Sequence, residues 1–196
     1  MPTESAGQVS EKSRIAATVA RSRLVEGQST IVDITVSNAT HSDVGELTAI
    51  AFAAKRHWAY PEAWIEVWTD ELTVEDDYVR NNHVFVAKSG SRMLGWYALA
   101  EDENDHWLDF CWVLPEAIGQ GIGRRLVSHA FESAAELGWS TLKVIADPNA
   151  EGFYCKLGFR RIGEHPSMPK GRQLPVLEAS VAAHPGGDPE IEAGGR

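Results

Sequence analysis

The chain has 196 residues, with 28 Asp+Glu against 18 Lys+Arg for a formal net charge of −10. That length and an ordinary 43% apolar content fit one globular domain with its own core, and the acidic balance argues against a nucleic-acid partner. No apolar run approaches the ~18–20 residues of a membrane span, and the two cysteines, Cys111 and Cys155, make neither a disulfide framework nor a CxxC zinc pattern, so neither a membrane partner nor a metal is expected.

Residues 1–28 are poor in large apolar side chains and read as a flexible lead-in. A short helix over 14–25 is conceivable there. Its Arg and Ser content loosely fits a transit peptide, but the apolar core of a secretory signal is missing. Alternation predicts a strand over 31–36, and helical spacing predicts a helix over 43–55 with Asn38, Thr40 or Ser42 as caps. A second helix follows over 61–72, with Pro61 in a tolerated first-turn position. Strands are predicted over 84–88, 93–100 and 106–114. Ile122, Leu126, Val127, Ala130, Phe131, Ala134 and Leu137 then recur at helical spacing, with Gly138 where a C-cap belongs. A strand over 141–146, a helix over 149–157 and strands over 159–163 and 175–182 complete the body. The tail over 184–196, rich in Gly, Pro and acid, cannot bury enough surface to offset its ordering entropy and reads as disordered. The folded body is thus expected over 29–183 as one α/β domain of about seven strands and about four helices.

The strongest local signal lies between the third of the central strands and the long helix. Gly119, Gly121 and Gly123 sit where that helix opens, followed by Arg124 and Arg125. Backbone N–H groups at a helix start lack intrahelical partners, the dipole adds positive potential, and glycine lets an anion come close. A bound phosphate and a bare tight turn are both consistent with this. No Gly-Lys-Ser/Thr follows, which excludes a P-loop. A dinucleotide site is disfavoured because Arg124 stands where the third glycine should be and the unit starts too late for a doubly wound sheet.

The stretch Ile118-Gly-Gln-Gly-Ile-Gly123 resembles the acyl-CoA-binding motif of the GNAT superfamily of N-acetyltransferases, with Ile118 departing from the Gln or Arg usual at the first position. Residues 147–159, with Asn149, Ala150, Phe153-Tyr154, Lys156 and Gly158-Phe159, resemble the family's later motif in the right order. The resemblance covers about residues 31–182. It implies a GNAT fold with a mixed central sheet, acetyl-CoA as co-substrate with no metal, and transfer of the acetyl group to an amine attacking directly in a ternary complex.

The resemblance also implies roles. Gly119, Gln120, Gly121, Ile122, Gly123, Arg124 and Arg125 would hold the pyrophosphate. Cys111, Trp112 and Val113, at the end of a strand that splays from its neighbour, would offer main-chain groups to the pantetheine and the acetyl carbonyl. Asn149 would contact the cofactor, cap its helix, or both. Tyr154, near pKa ~10 when free, would donate to the departing sulfur, against a plain core role beside Phe153. Strict alternation puts Asp109 on one face with Trp107, Cys111 and Val113, which makes it a candidate general base. Glu101 and a chain of waters are rivals. Cys111 reads better as a buried thiol than as a nucleophile.

The resemblance also implies that the acceptor side lies over 52–78, where the superfamily's first helices line that pocket. Tyr60, Trp64 and Trp68 form one helical stripe, and Glu62, Glu66 and Asp70 another. An aromatic and acidic wall suits a protonated amine; a core stripe with a solvated face accounts for the same pattern. His57, Trp58 and Tyr60 are the candidate substrate contacts. The expectation is a cytoplasmic acetyl-CoA-dependent N-acetyltransferase acting on a small amine, with a dimer by analogy with relatives. A protein N-terminal or lysine acetyltransferase, a catalytically silent acyl-CoA-binding subunit, and a nucleotide-binding protein remain the alternatives.

Overall fold

The computed structural model describes residues 33–102 and 105–184. The expected lead-in, the first two residues of the expected first strand and the tail beyond His184 lie outside the described residues. Seven strands form one sheet: β1 (Ile34–Asn38), β2 (His83–Ser89), β3 (Arg92–Glu101), β4 (His106–Val113), β5 (Thr141–Ile145), β6 (Arg160–Ser167) and β7 (Arg172–Ser180). Their order is β1-β2-β3-β4-β5-β7-β6, with β4 and β5 parallel and every other pair antiparallel. The mixed seven-stranded sheet is the expected architecture.

The described residues hold six α-helices, α1 (Val44–His57), α2 (Glu62–Val67), α3 (Thr69–Leu72), α4 (Asp76–Asn81), α5 (Ile122–Glu136) and α6 (Glu151–Lys156). Four were expected. The helix predicted over 61–72 bends at Trp68, which ends α2 and opens α3, and its amide is shared between the Trp64 and Ile65 carbonyls. The short α4 was not foreseen. A 3-10 turn over His41–Asp43 leads into α1 and carries a capping box, in which the Asp43 carboxylate accepts from the Thr40 amide at 2.8 Å.

The sheet separates two cores. On one face α5 buries Ile122, Leu126, Val127, Ala130, Phe131 and Ala134 against Tyr97, Leu99, Leu108 and Leu142. Each large apolar side chain removed from water in this way contributes about 1.5–3 kcal/mol. On the other face Leu47 and Ile50 of α1, Ile65 of α2 and Trp68 pack on Val86, Met93 and Trp96, and the Trp96 indole donates to the Leu47 carbonyl at 2.9 Å. Helices α5 and α6 thus stand behind the sheet and α1 to α4 in front.

β6 runs to Ser167 and β7 starts at Arg172, so the closing hairpin is longer than expected. β6 is an edge strand exposed almost throughout, so no burial period marks it. His184, expected to open the tail, instead stacks on Phe131 with ring centroids 3.7 Å apart.

Candidate active site

Two strands create the site by parting. Among the described residues β4 and β5 pair only at Trp107 with Lys143; beyond that point they diverge, and a cavity of about 650 Å³ opens between them. Its walls come from the end of β4 (Leu108–Val113), the glycine turn, the end of β5 and the start of α6. A close approach at Gly95 sets the angle of the β4 end. A Cβ there would lie 2.6 Å from the Trp112 carbonyl oxygen and 3.2 Å from Leu126 Cδ1. The sequence reading missed this residue, although a glycine inside a strand is itself a signal of close backbone approach.

The glycine turn fits an anionic group. Gly119 and Gly121 both stand at φ +83°, with open space where a side chain would be. Gly121 is the N-cap of α5, so the amides of Ile122, Gly123 and Arg124 begin the helix without intrahelical acceptors. Gly123 packs closely on Phe153, whose ring would lie 3.2 Å from an added Cβ. Gly119, Gly121, Gly123 and Arg124 line the cavity, together with Ile118. Gln120, Ile122 and Arg125 do not bring side chains to it: Gln120 Nε2 donates to the Glu116 carbonyl at 2.6 Å, Ile122 is buried in the core, and Arg125 points to solvent.

Also on the cavity wall, Tyr154 is 5% exposed and its phenol neighbours the Cys111 thiol. Burial, reinforced by Cys111, holds that phenol well above its ordinary pKa, so it keeps its proton. Burial likewise pushes the Cys111 thiol up to about 12, with the neighbouring Tyr154 phenol pulling the other way. A thiol held neutral is a poor nucleophile, which agrees with the reading of Cys111 as a wall and not a covalent carrier.

Asp109 needs a correction. Cross-strand partners run Tyr97–Cys111, Ala98–Phe110 and then Leu99–Leu108. Asp109 is the extra residue of a β-bulge, so strict alternation fails there. It does not share a face with Cys111 and Val113; it lies on the Phe110 side, against α4. Tyr78 Oη–H donates to Asp109 Oδ2 at 2.6 Å, and the Tyr78 ring packs edge-on against Phe110, centroids 5.3 Å apart. The carboxyl tip still reaches solvent at the cavity mouth. Desolvation by the surrounding protein raises its pKa above the ordinary carboxylate range, partly offset by the Tyr78 hydrogen bond. Asp109 also borders a second cavity of about 390 Å³, with Glu101, Asp102, Trp107 and His165 on its wall. The rival acid Glu101 therefore sits in the adjoining space.

Asn149 does not cap α6, whose N-cap is Ala150. Its amide accompanies a buried polar cluster instead. Lys55 Nζ donates to Asp147 Oδ2 at 2.7 Å, Arg172 Nη2 to the same oxygen at 3.2 Å, and Tyr60 Oη–H to Asp147 Oδ1 at 2.8 Å. Asn149 Nδ2 reaches the Tyr60 and Asp147 oxygens at 3.0 Å each. Burial would raise the Asp147 pKa, but Lys55 and the surrounding donors hold it below the usual carboxylate range. Of the expected acceptor contacts, Trp58 lines the cavity, Tyr60 is tied into this cluster, and His57 lies exposed beside Trp58. The stripe Tyr60–Trp64–Trp68 forms as predicted, with centroids 5.2–5.9 Å apart. It meets the chain's own cations: Lys55 Nζ lies 4.6 Å and the Arg172 guanidinium 4.8 Å from the Trp68 ring. Glu62, Glu66 and Asp70 face solvent, and Glu62 pairs with the equally exposed Arg56. Lys55 and Arg172 went unnoticed in the sequence because nothing local marks two residues that meet only through the fold.

Comparison with known proteins bears on the same region. A family model described as "Acetyltransferase (GNAT) domain" matches residues 80–161. No curated protein matches the chain. Among solved structures, the chain superposes on a GCN5-related N-acetyltransferase from Rhodopseudomonas palustris with a TM-score of 0.66 at 20% identity, covering 79% of this chain and 99% of that one. PaiA N-acetyltransferase from Thermoplasma acidophilum, solved with coenzyme A, gives 0.63 at 18% identity over 76% and 99% of the two chains. A GNAT family acetyltransferase from Elizabethkingia anophelis, solved with acetyl-CoA, gives 0.56 at 17% identity over 76% and 98%. Residues 80–161 therefore match the model of a GNAT acetyltransferase domain, and the described body from β1 to β7 shares the fold of these solved acetyltransferases.

Proposed function

We propose that this protein is an acetyl-CoA-dependent N-acetyltransferase that moves an acetyl group to the primary amine of a small molecule by direct attack in a ternary complex. The observation that carries the reading is the parting of β4 from β5. It makes one cavity whose wall carries the glycine turn that opens α5 together with Tyr154 and Asp109. Acetyl-CoA supplies an activated thioester. The open amides of the glycine turn, with Arg124, hold its phosphates. Where β4 leaves β5, its main-chain groups from Cys111 to Val113 face the gap, and an N–H there polarises the carbonyl.

Asp109 accepts a proton from the amine, directly or through one water, and its raised pKa brings it closer to the basicity this task needs. Tyr154 donates to the departing sulfur; its high pKa keeps that proton available across neutral pH. We assign the reaction to the cytoplasm, where the free thiols Cys111 and Cys155 persist. Thermal stability with acetyl-CoA, CoA, NAD and NADP in parallel is the direct test, followed by thiol release with an amine panel. A ligand at ~100 times its Kd adds about 2.7 kcal/mol to the native state. Stabilisation by acetyl-CoA and CoA together with amine-dependent thiol release is the expected result. A response to NAD or NADP alone would overturn the cofactor assignment, and binding without release would leave a silent acyl-CoA-binding subunit.

A further inference from the structure

Two side chains at the end of α1 serve neither core. Ala54 is 6% exposed, yet among the described residues it belongs to neither hydrophobic cluster. Trp58, four positions on at the C-cap, is 39% exposed, and its one ring contact among the described residues is the exposed His57, edge-on with centroids 5.2 Å apart. Residues four apart share a helix face, and this face borders the cavity, whose wall both residues join. Trp112 of β4 joins the same wall, its ring half-buried on the front core. Large aromatic side chains dominate core energetics when buried. A tryptophan left open on a cavity wall, beside an alanine that leaves room, points to an apolar occupant.

The charges on the cavity wall say what that occupant lacks. Four charged residues line it: Asp109, Arg124, Asp147 and Lys156. The two cations belong with the glycine turn. Arg124 stands in the first turn of α5, and Lys156 lies one turn along α6 from Phe153, which packs on Gly123. The other two are acids. Asp147 is already satisfied, with Oδ2 taken by Lys55 and Arg172 and Oδ1 by Tyr60 and Asn149, and neither Lys55 nor Arg172 reaches the wall. A carboxylate on the acceptor would find no ion-pair partner there, and a second ammonium no free acid, so either charge would be held unpaired. Asp109 remains for the reacting amine. Trp112 stands three positions beyond it on β4, about 10 Å at ~3.3 Å per residue and less across a bulge. An aromatic ring on a short aliphatic linker covers that span.

We propose that Ala54, Trp58 and Trp112 form the acceptor's specificity wall, and that the acceptor is an arylalkylamine: a single amine that meets Asp109, on an aromatic body that packs against the two tryptophans and carries no carboxylate. The proposal rests on the acetyl-transfer reading and names its substrate class. Ala54 sets the depth of the wall, since a larger side chain there takes the space of the ring.

The full chain is assayed with acetyl-CoA and four amines: phenethylamine, propylamine, phenylalanine and 1,4-diaminobutane. Phenethylamine is expected to exceed each of the others by at least tenfold in kcat/KM. In Ala54→Leu and in Trp58→Ala its advantage over propylamine is expected to shrink by at least fivefold, chiefly through KM. Trp58 is exposed, so its variant keeps the fold even if the buried Ala54→Leu does not. Equal or better use of any of the other three amines overturns the proposal. So does a fall in acetyl-CoA affinity in Trp58→Ala with the amine preference intact, which would give the wall to the cofactor. A binding measurement keeps the two readings apart: the protein, with and without CoA, is titrated with N-acetylphenethylamine, N-acetylpropylamine and N-acetylphenylalanine. A preference for the first that is lost in Trp58→Ala supports the wall even if no amine is turned over, in which case acetyl transfer alone falls. No preference refutes the wall whatever the turnover.

Discussion

Replacing Gly95 with alanine adds one methyl group at the point where β3, β4 and α5 meet. The new Cβ would lie 2.6 Å from the Trp112 carbonyl oxygen, about 0.8 Å inside ordinary contact, and 3.2 Å from both Leu126 Cδ1 and Val113 Cα. The first of these is main chain in a paired strand and cannot swing aside, so the end of β4 has to move. Overpacking of this kind costs about 1–3 kcal/mol. For a domain of this size each kcal/mol lowers Tm by about 2–4 °C, so a loss of about 4–8 °C is expected at the midpoint of that range. The displaced segment, Trp112–Val113, is also cavity wall. Thiol-release kinetics well below the new Tm are therefore expected to show kcat/KM reduced by more than tenfold. Scanning calorimetry gives the first number and the enzyme assay the second. An unchanged Tm would refute the close approach, and a lowered Tm with undiminished kcat/KM would refute the claim that Gly95 sets the angle of the β4 end.

Three other outcomes are expected. Gly121→Asp puts a carboxylate into the anion cradle at a residue with φ +83°; acetyl-CoA binding measured by calorimetry should weaken by more than a hundredfold, and unchanged affinity would remove the cradle from the site. Tyr154→Phe should lower kcat by ~10²-fold with little change in acetyl-CoA affinity, since the lost proton donor acts on the departing sulfur; equal turnover would exclude it from the chemistry. Tyr78→Phe bears on pH: the base must be ionised, so activity falls as pH drops through the Asp109 pKa, and Tyr78 lowers that pKa by donating to the carboxylate. Its loss raises the pKa and moves the acid limb of kcat/KM to higher pH, whereas Asp109→Asn removes that limb. An acid limb that stays put in both variants would place the base elsewhere.

Elements whose burial leaves a pattern in the side chains could be read from the chain. The long helix α5 was legible because burial on one face imposes a period, and β3 because burial on both faces leaves an almost unbroken apolar run. β6 was read short because an edge strand exposed on both faces, from Arg160 to Ser167, leaves no such trace. α4 was hidden in a run of acids, Glu75-Asp76-Asp77, that reads as loop. The glycine turn was legible for a different reason: residues held at φ +83° must nearly always be glycine, so the backbone writes itself into the sequence. The Asp109 error is informative, because a bulge shifts the side-chain period by one and leaves no compositional mark. The Lys55–Asp147–Arg172 cluster joins positions 55, 147 and 172, and only the folded sheet brings them together.

The bulge in β4 has one more consequence. Asp109 is the single residue between His106 and Val113 that the ladder to β3 does not use. Deleting it would leave Phe110 opposite Ala98 and Leu108 opposite Leu99, each with its present partner, and would restore plain alternation. The proposed base can therefore be gained or lost by the insertion or deletion of one codon, with no other strand obliged to re-register. Chemistry at this position is modular with respect to the sheet that displays it, and a lineage could change its proton acceptor without first rebuilding its core.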